Sequence, residues 1–130
     1  MFYSTEPRSL RLTGGVGAPR LARDFLAATC SEWRAEQFVE TGSLVVSELV
    51  SNAVLHAGTD LAVDLEFTGA RLTMRVHDRS PALPEPAVAR PSGAGGHGLE
   101  IVAQIAESWG VDPDPGGGKN VWCVLRAEHG

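Results

Sequence analysis

The chain has 130 residues, of which 43% are hydrophobic and 21% charged, with a net charge of −5 and a pI near 5.3. This length fits one domain with a substantial core, and we expect that domain to span residues 1–130. The acidic balance argues against a surface that follows nucleic-acid phosphates. The chain starts without an apolar signal region and no run reaches transmembrane length, so we expect a cytoplasmic protein that contacts neither nucleic acid nor membrane.

The first half of the chain predicts one strand and two helices. Residues 9–13 alternate apolar and polar side chains, which is typical of an edge strand. After a glycine loop, Pro19 suits the first turn of a helix that extends to Trp33. Residues 35–58 predict a second, longer helix with a weak point at Gly42.

The second half predicts four more strands and a third helix. Residues 61–67 and 72–76 alternate strictly and are joined by a short turn, which predicts a hairpin. Residues 80–96 contain many prolines and glycines and no period, which predicts a long functional loop. The remaining elements are a helix over residues 97–107, a strand over 109–111 and a final strand over 119–125. Three helices and five mostly antiparallel strands predict a two-layer α/β sandwich with helices on one sheet face.

Cysteines and histidines do not suggest a zinc site. Cys30 and Cys123 lie in a predicted helix and strand without metal-ligand spacing, so we expect reduced, packed thiols. His56 and His97 have no third partner that would complete a zinc site. We expect Trp33, Trp109 and Trp122 to pack in the core rather than stack on a ligand.

Two polar residues interrupt the apolar second helix. Glu48 and Asn52 are four positions apart, so they share one helix face, and His56 continues the same face. A carboxylate and a carboxamide in an apolar helix are costly unless partners satisfy them. A bound cation with its phosphates would be such a partner, whereas His56 alone is more typical of packing at a helix end.

This stretch resembles the N-box of the GHKL ATPases, a superfamily that includes gyrase, Hsp90, the histidine kinases, MutL and the small anti-sigma serine kinases. Asp78 resembles the aspartate of the family's first glycine box, although Arg-Ser-Pro-Ala follows it instead of x-Gly-x-Gly. Gly95–Leu99 resembles the second glycine box. Gly118-Lys119-Asn120 resembles the last element, Gly-x-Thr, with Asn120 in place of the threonine. These elements occur in the family's order, and the resemblance covers residues 18–125.

The resemblance implies a Bergerat ATP-binding fold in which residues 80–96 form the ATP lid. It implies that Asn52 ligates Mg²⁺, that Glu48 is the catalytic base, and that Asp78 accepts a hydrogen bond from the adenine amino group. A single acceptor at Asp78 would favour ATP over GTP. The nucleotide-binding residues implied in this way are Asn52, Asp78, Gly96, His97, Gly98, Leu99 and Asn120.

The chain lacks the phosphoacceptor-bearing helical domain of a sensor kinase, so it looks like a free-standing anti-sigma factor and serine/threonine-protein kinase. Such a protein would sequester a sigma factor, phosphorylate a STAS-type antagonist and regulate transcription, and it would pair as a homodimer through the edge strand at residues 9–13. The kinase branch often has an arginine just before the second glycine box, where this chain has Ala94 and Gly95. Arg79 or Arg90 could replace it. Two alternatives remain open: an ATP-gated interaction module without phosphotransfer, and a fold that only docks a partner.

Overall fold

The computed structural model describes residues 6–57, 60–79 and 98–127, and every structural statement below concerns these residues. They form three α-helices, a short 3₁₀ helix and five strands, in the order that the sequence predicts. The strands are β1 (Arg8–Leu12), β2 (Leu61–Thr68), β3 (Arg71–Asp78), β4 (Ser108–Pro113) and β5 (Lys119–Arg126). The helices are α1 (Ala18–Glu32), α2 (Val39–Ala57) and α3 (Gly98–Ile105), and the 3₁₀ helix Glu36–Phe38 precedes α2.

The strands form one antiparallel sheet in the order β1-β2-β3-β5-β4. The hairpin between β2 and β3 turns at Gly69 and Ala70, where Gly69 has a φ of 61° that glycine adopts without strain. β3 lies at the centre, and β1 and β4 form the two edges. The predicted α/β sandwich is therefore confirmed.

Strand alternation separates a buried sheet face from an open one. Alternate residues of β2, β3 and β5 are buried, and the residues between them are half-exposed. Val63, Val76 and Val121 lie side by side across three strands on the buried face. The three helices cover this face, as expected for an antiparallel sheet with one solvated side.

α1 and α2 form an antiparallel pair on the sheet. Arg23 on α1 donates a hydrogen bond of 2.9 Å to the Ser47 hydroxyl on α2. One turn further along α1, Leu26 packs on Gly42, where an added Cβ would lie 3.1 Å from a Leu26 methyl carbon. α2 passes through Gly42 without interruption, so the expectation of a weak point there was wrong. The glycine instead lets the two helices approach closely.

The expectation that no run reaches transmembrane length was wrong. The stretch Glu36–Leu55, which comprises the 3₁₀ helix and most of α2, has 20 residues and a mean hydropathy of 1.3. By length and composition alone, this is enough to cross a membrane. In the structure Val45, Val46, Leu49 and Val50 of this stretch are buried in the core. The hydrophobicity of the helix is thus explained by its packing between α1, α3 and the sheet.

The tryptophans pack in two different places. Trp33 follows α1 and stacks on Phe67 of β2, with ring centroids 5.9 Å apart, and Phe38 meets the same ring edge-on. Trp122 lies on the open face of the sheet, half-buried, where a Cβ at Gly110 of β4 would be 2.7 Å from its ring. The expectation that Trp122 packs in the core was therefore wrong. Its ring instead covers Gly110 of β4 on the open face of the sheet.

Candidate nucleotide site

Glu48 and Asn52 lie one turn apart on α2, at the border between its buried and exposed faces. Both side chains are half-buried, whereas the neighbouring Leu49, Val50 and Ala53 are buried. This placement gives each polar group access to solvent or a ligand while the helix around it is held by the core. The predicted shared face of Glu48 and Asn52 is present.

Asp78 is the last residue of β3, and its side chain is fully buried. Strand alternation places it on the same sheet face as Met74 and Val76, which is the face covered by the helices. α2 packs against β3, so this carboxylate lies on the side of the sheet that faces the helix of Glu48 and Asn52. The resemblance implies a buried hydrogen-bond acceptor at this strand end, where it would accept from the adenine amino group.

Lys119 is a site residue that sequence reasoning missed. It is the first residue of β5, directly opposite Asp78 in the strand register, and it is 1% exposed. Its Nζ lies 3.0 Å from both Oδ1 and Oδ2 of Asp78. Removing one member of a buried ion pair generally costs about 3–5 kcal/mol, because the other charge is left without compensation. The Asp78–Lys119 ion pair therefore fixes the end of β3 against the start of β5.

A tight turn delivers Lys119 to this position. Asp114 donates its backbone N–H to the Gly118 carbonyl, and Gly117 donates to the Asp114 carbonyl. Gly118 has a φ of 85°, and an added Cβ would lie 1.9 Å from the Asp78 carbonyl oxygen. Only glycine allows the backbone of the turn to approach β3 so closely. The lack of space for a side chain thus explains why this chain has a glycine at position 118, the position that resembles the glycine of the last family element.

The second glycine box leads into α3. Gly98 is the first residue of α3, and Leu99 packs in the core with 5% exposure. A helix N-terminus presents unpaired backbone N–H groups that favour anions such as phosphates. α3 packs against α2, so the helix that begins at Gly98 and the helix of Asn52 are neighbours. His97 and the whole of the predicted lid, residues 80–96, lie outside the described residues. His56 lies in the last turn of α2.

Asn120 is not brought together with the other predicted residues. It follows Lys119 on β5, so alternation places its half-exposed side chain on the open face, level with His77 and Asp112. That face is opposite to the one that carries Asp78. Lys119, and not Asn120, occupies the inward position after Gly118.

Arg79 also lies near the open face. It lines a cavity of about 250 Å³ together with Arg11, Ala62 and His77. The side chains of Ala62 and His77 are half-exposed on the face away from the helices. This neighbourhood is not the helix side on which phosphates would lie, and Arg90 is outside the described residues.

The donor groups of the described site fit a magnesium–nucleotide complex better than a bare metal ion. Within residues 6–57, 60–79 and 98–127, no three His, Cys, Asp or Glu side chains are placed to hold a metal. Magnesium bound with phosphates commonly takes only one or two protein ligands and keeps several waters. The half-buried amide of Asn52 suits that role, with Glu48 one turn away.

Comparisons with known proteins agree with this geometry. Residues 42–129 match the family described as histidine kinase-, DNA gyrase B-, and HSP90-like ATPase. The fold is similar to the crystal structure of the RsbU and RsbW domains of Rv1364c from Mycobacterium tuberculosis, with a TM-score of 0.68 and 19% sequence identity. That similarity covers 97% of this chain and 34% of the other, so the chain spans about a third of the solved structure. No curated protein matches the sequence significantly.

The family match covers more than half of the chain and includes most of α2, the β2–β3 hairpin, α3, β4 and β5. The five-stranded antiparallel sheet with three helices on one face is the GHKL, or Bergerat, ATPase fold. The chain therefore belongs to the histidine kinase-, DNA gyrase B- and HSP90-like ATPase family.

Proposed function

We propose that the chain is an ATP-binding regulatory protein of the anti-sigma type. It sequesters a sigma factor and, with ATP and Mg²⁺, phosphorylates a serine of a STAS-type antagonist. The observation that carries this proposal is the pairing of Glu48 and Asn52 on one half-buried face of α2, a helix that lies largely within the family match and packs against the strand of Asp78. The sequence resemblance to small anti-sigma serine kinases and the fold shared with a structure that contains an RsbW domain support it.

The proposed chemistry assigns a different task to each residue. Phosphoryl transfer depends mainly on positioning and on neutralising charge, and bound Mg²⁺ supplies that neutralisation at the phosphates. Asn52 holds the metal through its amide oxygen, and the backbone N–H groups at the start of α3 hold phosphate oxygens. Glu48 accepts the proton of the substrate serine hydroxyl as that oxygen bonds to the terminal phosphorus and the bond to ADP breaks.

Paired substitutions on α2 test these roles. Glu48→Gln keeps the size and hydrogen bonding of the side chain but removes its proton acceptor. We expect ATP affinity to be retained while single-turnover phosphorylation of the antagonist falls about a hundredfold or more. Asn52→Ala should lower magnesium-dependent ATP affinity and phosphorylation together. Glu40→Gln, at an exposed position in the first turn of α2, is the matched control and should change neither.

Full phosphorylation by Glu48→Gln would show that Glu48 is not the base. A defect of the same kind in both variants would indicate a structural role for this helix face.

An ATP-gated interaction module that transfers no phosphate is the second candidate. The observation that favours it is the absence of an arginine directly before the second glycine box, where Ala94 and Gly95 stand. Arg79, which could replace that arginine, lies near the open sheet face. If the wild-type chain binds ATP but transfers nothing to its true antagonist, this candidate is the better description. If calorimetry detects no nucleotide binding, a fold that only docks a partner remains.

A further inference from the structure

A groove between α2 and α3 begins one helical turn from the proposed base. Leu44 of α2 and Ile105 of α3 line a cavity of about 790 Å³, together with Phe38 and Leu125. The side chains of Phe38 and Leu125 are 3% and 2% exposed, so the floor of this cavity is the surface of the hydrophobic core. We call this cavity the α2–α3 groove.

The groove exposes apolar side chains that the fold itself does not cover. Leu44 is 44% exposed and Ile105 is 37% exposed, and they are two of the five large apolar side chains that are exposed in the described part of the chain. Two charged residues of opposite sign, Glu40 and Arg126, also line the cavity, so its lining carries no net charge. Because a charged group would lose hydration in such a place, the groove suits an apolar side chain.

Successive turns of α2 place the groove, the proposed base and the proposed metal ligand in a row. Leu44, Glu48 and Asn52 are four residues apart, so they follow one helix face at intervals of about 6 Å. Leu44 is exposed and the other two are half-buried, so the row is accessible along its length. The inference rests on the proposed function, in which Glu48 accepts the proton of the substrate serine. A serine at Glu48 then has the phosphates on the Asn52 side and the groove on the Leu44 side.

An extended peptide segment matches this spacing. Residues two positions apart in an extended chain point to the same side and are about 6–7 Å apart, close to the interval between Leu44 and Glu48. When the serine of such a segment lies at Glu48, a side chain two positions away reaches the groove. A side chain at the adjacent position points to the opposite side and misses it.

We propose that the α2–α3 groove is the substrate-docking site of this chain and that it takes an apolar side chain two residues from the serine to be phosphorylated. The occupant is an extended segment of the substrate protein with the pattern Ser-x-apolar or apolar-x-Ser, depending on the direction of the bound chain. Leu44 and Ile105 are thereby specificity-determining residues for that position.

The wild-type chain allows a direct test because it has only two isoleucines, Ile101 and Ile105. Isoleucine methyl labelling gives two NMR signals, and I105V identifies the signal of Ile105. The probes are glycine-flanked peptides that contain Ser-Gly-Leu or Leu-Gly-Ser, and peptides that contain Ser-Leu or Leu-Ser are the spacing controls. We expect at least one of the first two to shift the Ile105 signal and to bind about tenfold or more tightly than both controls, because only the correct spacing buries the leucine.

Leu44→Ala and Leu21→Ala form a matched pair of variants. Each removes an exposed leucine, 44% and 53% exposed respectively, but only Leu44 lines the groove. Leu44→Ala should weaken the tighter peptide by about fivefold or more and should raise the KM for its phosphorylation more than it lowers kcat, since the contact is made before the transition state as well as in it. Leu21→Ala should leave the affinity and the KM unchanged.

The outcomes separate the docking site from the proposed function. Equal affinities for all four peptides, an Ile105 signal that none of them shifts, or equal losses in Leu44→Ala and Leu21→Ala would each overturn the proposal. If the Ile105 signal responds with the expected spacing but neither the peptides nor the true antagonist is phosphorylated with Mg-ATP, the transfer step of the proposed function fails while the docking site stands.

Discussion

The three consecutive glycines before β5 allow steric overlap to be separated from backbone strain. At Gly118 the φ of 85° disfavours any residue with a Cβ, which typically costs about 1–3 kcal/mol. The added methyl group of Gly118→Ala would also lie 1.9 Å from the Asp78 carbonyl oxygen, so the turn and the end of β3 must move apart. Forced overpacking commonly costs a further 1–3 kcal/mol, roughly. We therefore expect Gly118→Ala to lower the free energy of unfolding by about 3 kcal/mol or more.

The neighbouring glycines provide matched controls. Gly117 has a φ of 109° but no heavy atom within 4 Å of an added Cβ, so Gly117→Ala should show the backbone cost alone, about 1–3 kcal/mol. At Gly116 the nearest atom would be an Asp114 oxygen at 3.6 Å, an ordinary contact, so Gly116→Ala should stay within about 0.5 kcal/mol of wild type. Urea unfolding followed by circular dichroism measures all three. Equal losses for Gly117→Ala and Gly118→Ala would refute the close approach of the turn to β3.

Three further predictions concern the thiols, the surface ion pairs and the oligomeric state. Burial raises the pKa of Cys30 to about 11 and that of Cys123 to about 12, so Ellman's reagent at pH 8 should react with both thiols only at the rate of unfolding. Because both values exceed the ordinary thiol pKa of about 9, the thiols should not change the stability below pH 9 and should lower it as the pH rises above 9. A rise in stability there would contradict this. A hydrogen bond from Arg71 lowers the pKa of Glu107, so its stabilising contribution is present above about pH 4.5 and is lost as the pH falls through the folded-state pKa. Glu107→Gln should therefore lose less stability than wild type on acidification in urea titrations. Homodimers through the edge strand at residues 9–13 should appear by light scattering at high micromolar concentration, and a single-chain mass there would exclude them.

Much of the fold could be predicted because the chain's periodicities are unambiguous. β2, β3 and β5 alternate strictly, since one sheet face packs on helices and the other is solvated. The role of Gly42 could not be predicted in this way. Helix propensity treats a glycine as a weak point, but the close contact between Gly42 and Leu26 is a tertiary feature.

The candidate site was predictable where it follows from position within one element. The shared face of Glu48 and Asn52 follows from helical spacing, and the burial of Asp78 follows from the alternation of β3. The resemblance to Gly-x-Thr pointed to Asn120. Lys119, however, is in phase with the alternate residues of β5 that are buried, Val121, Cys123 and Leu125, and this phase places Lys119 on the inward face. A lysine is rarely buried without a partner, and that partner becomes visible only when the register pairs β3 with β5.

The long separation between Asp78 and Lys119 also bears on the order of folding. The two residues are 41 positions apart in sequence, and β5 reaches its partner by inserting between β3 and β4. Contacts between distant positions require costly loop closure and tend to form late. During synthesis, α2 and the β2–β3 hairpin can therefore form before the ion pair exists, and the pair marks completion of the sheet. A ligand that binds at this pair selects fully folded chains, and at a hundred times its dissociation constant it would stabilise them by about 2.7 kcal/mol.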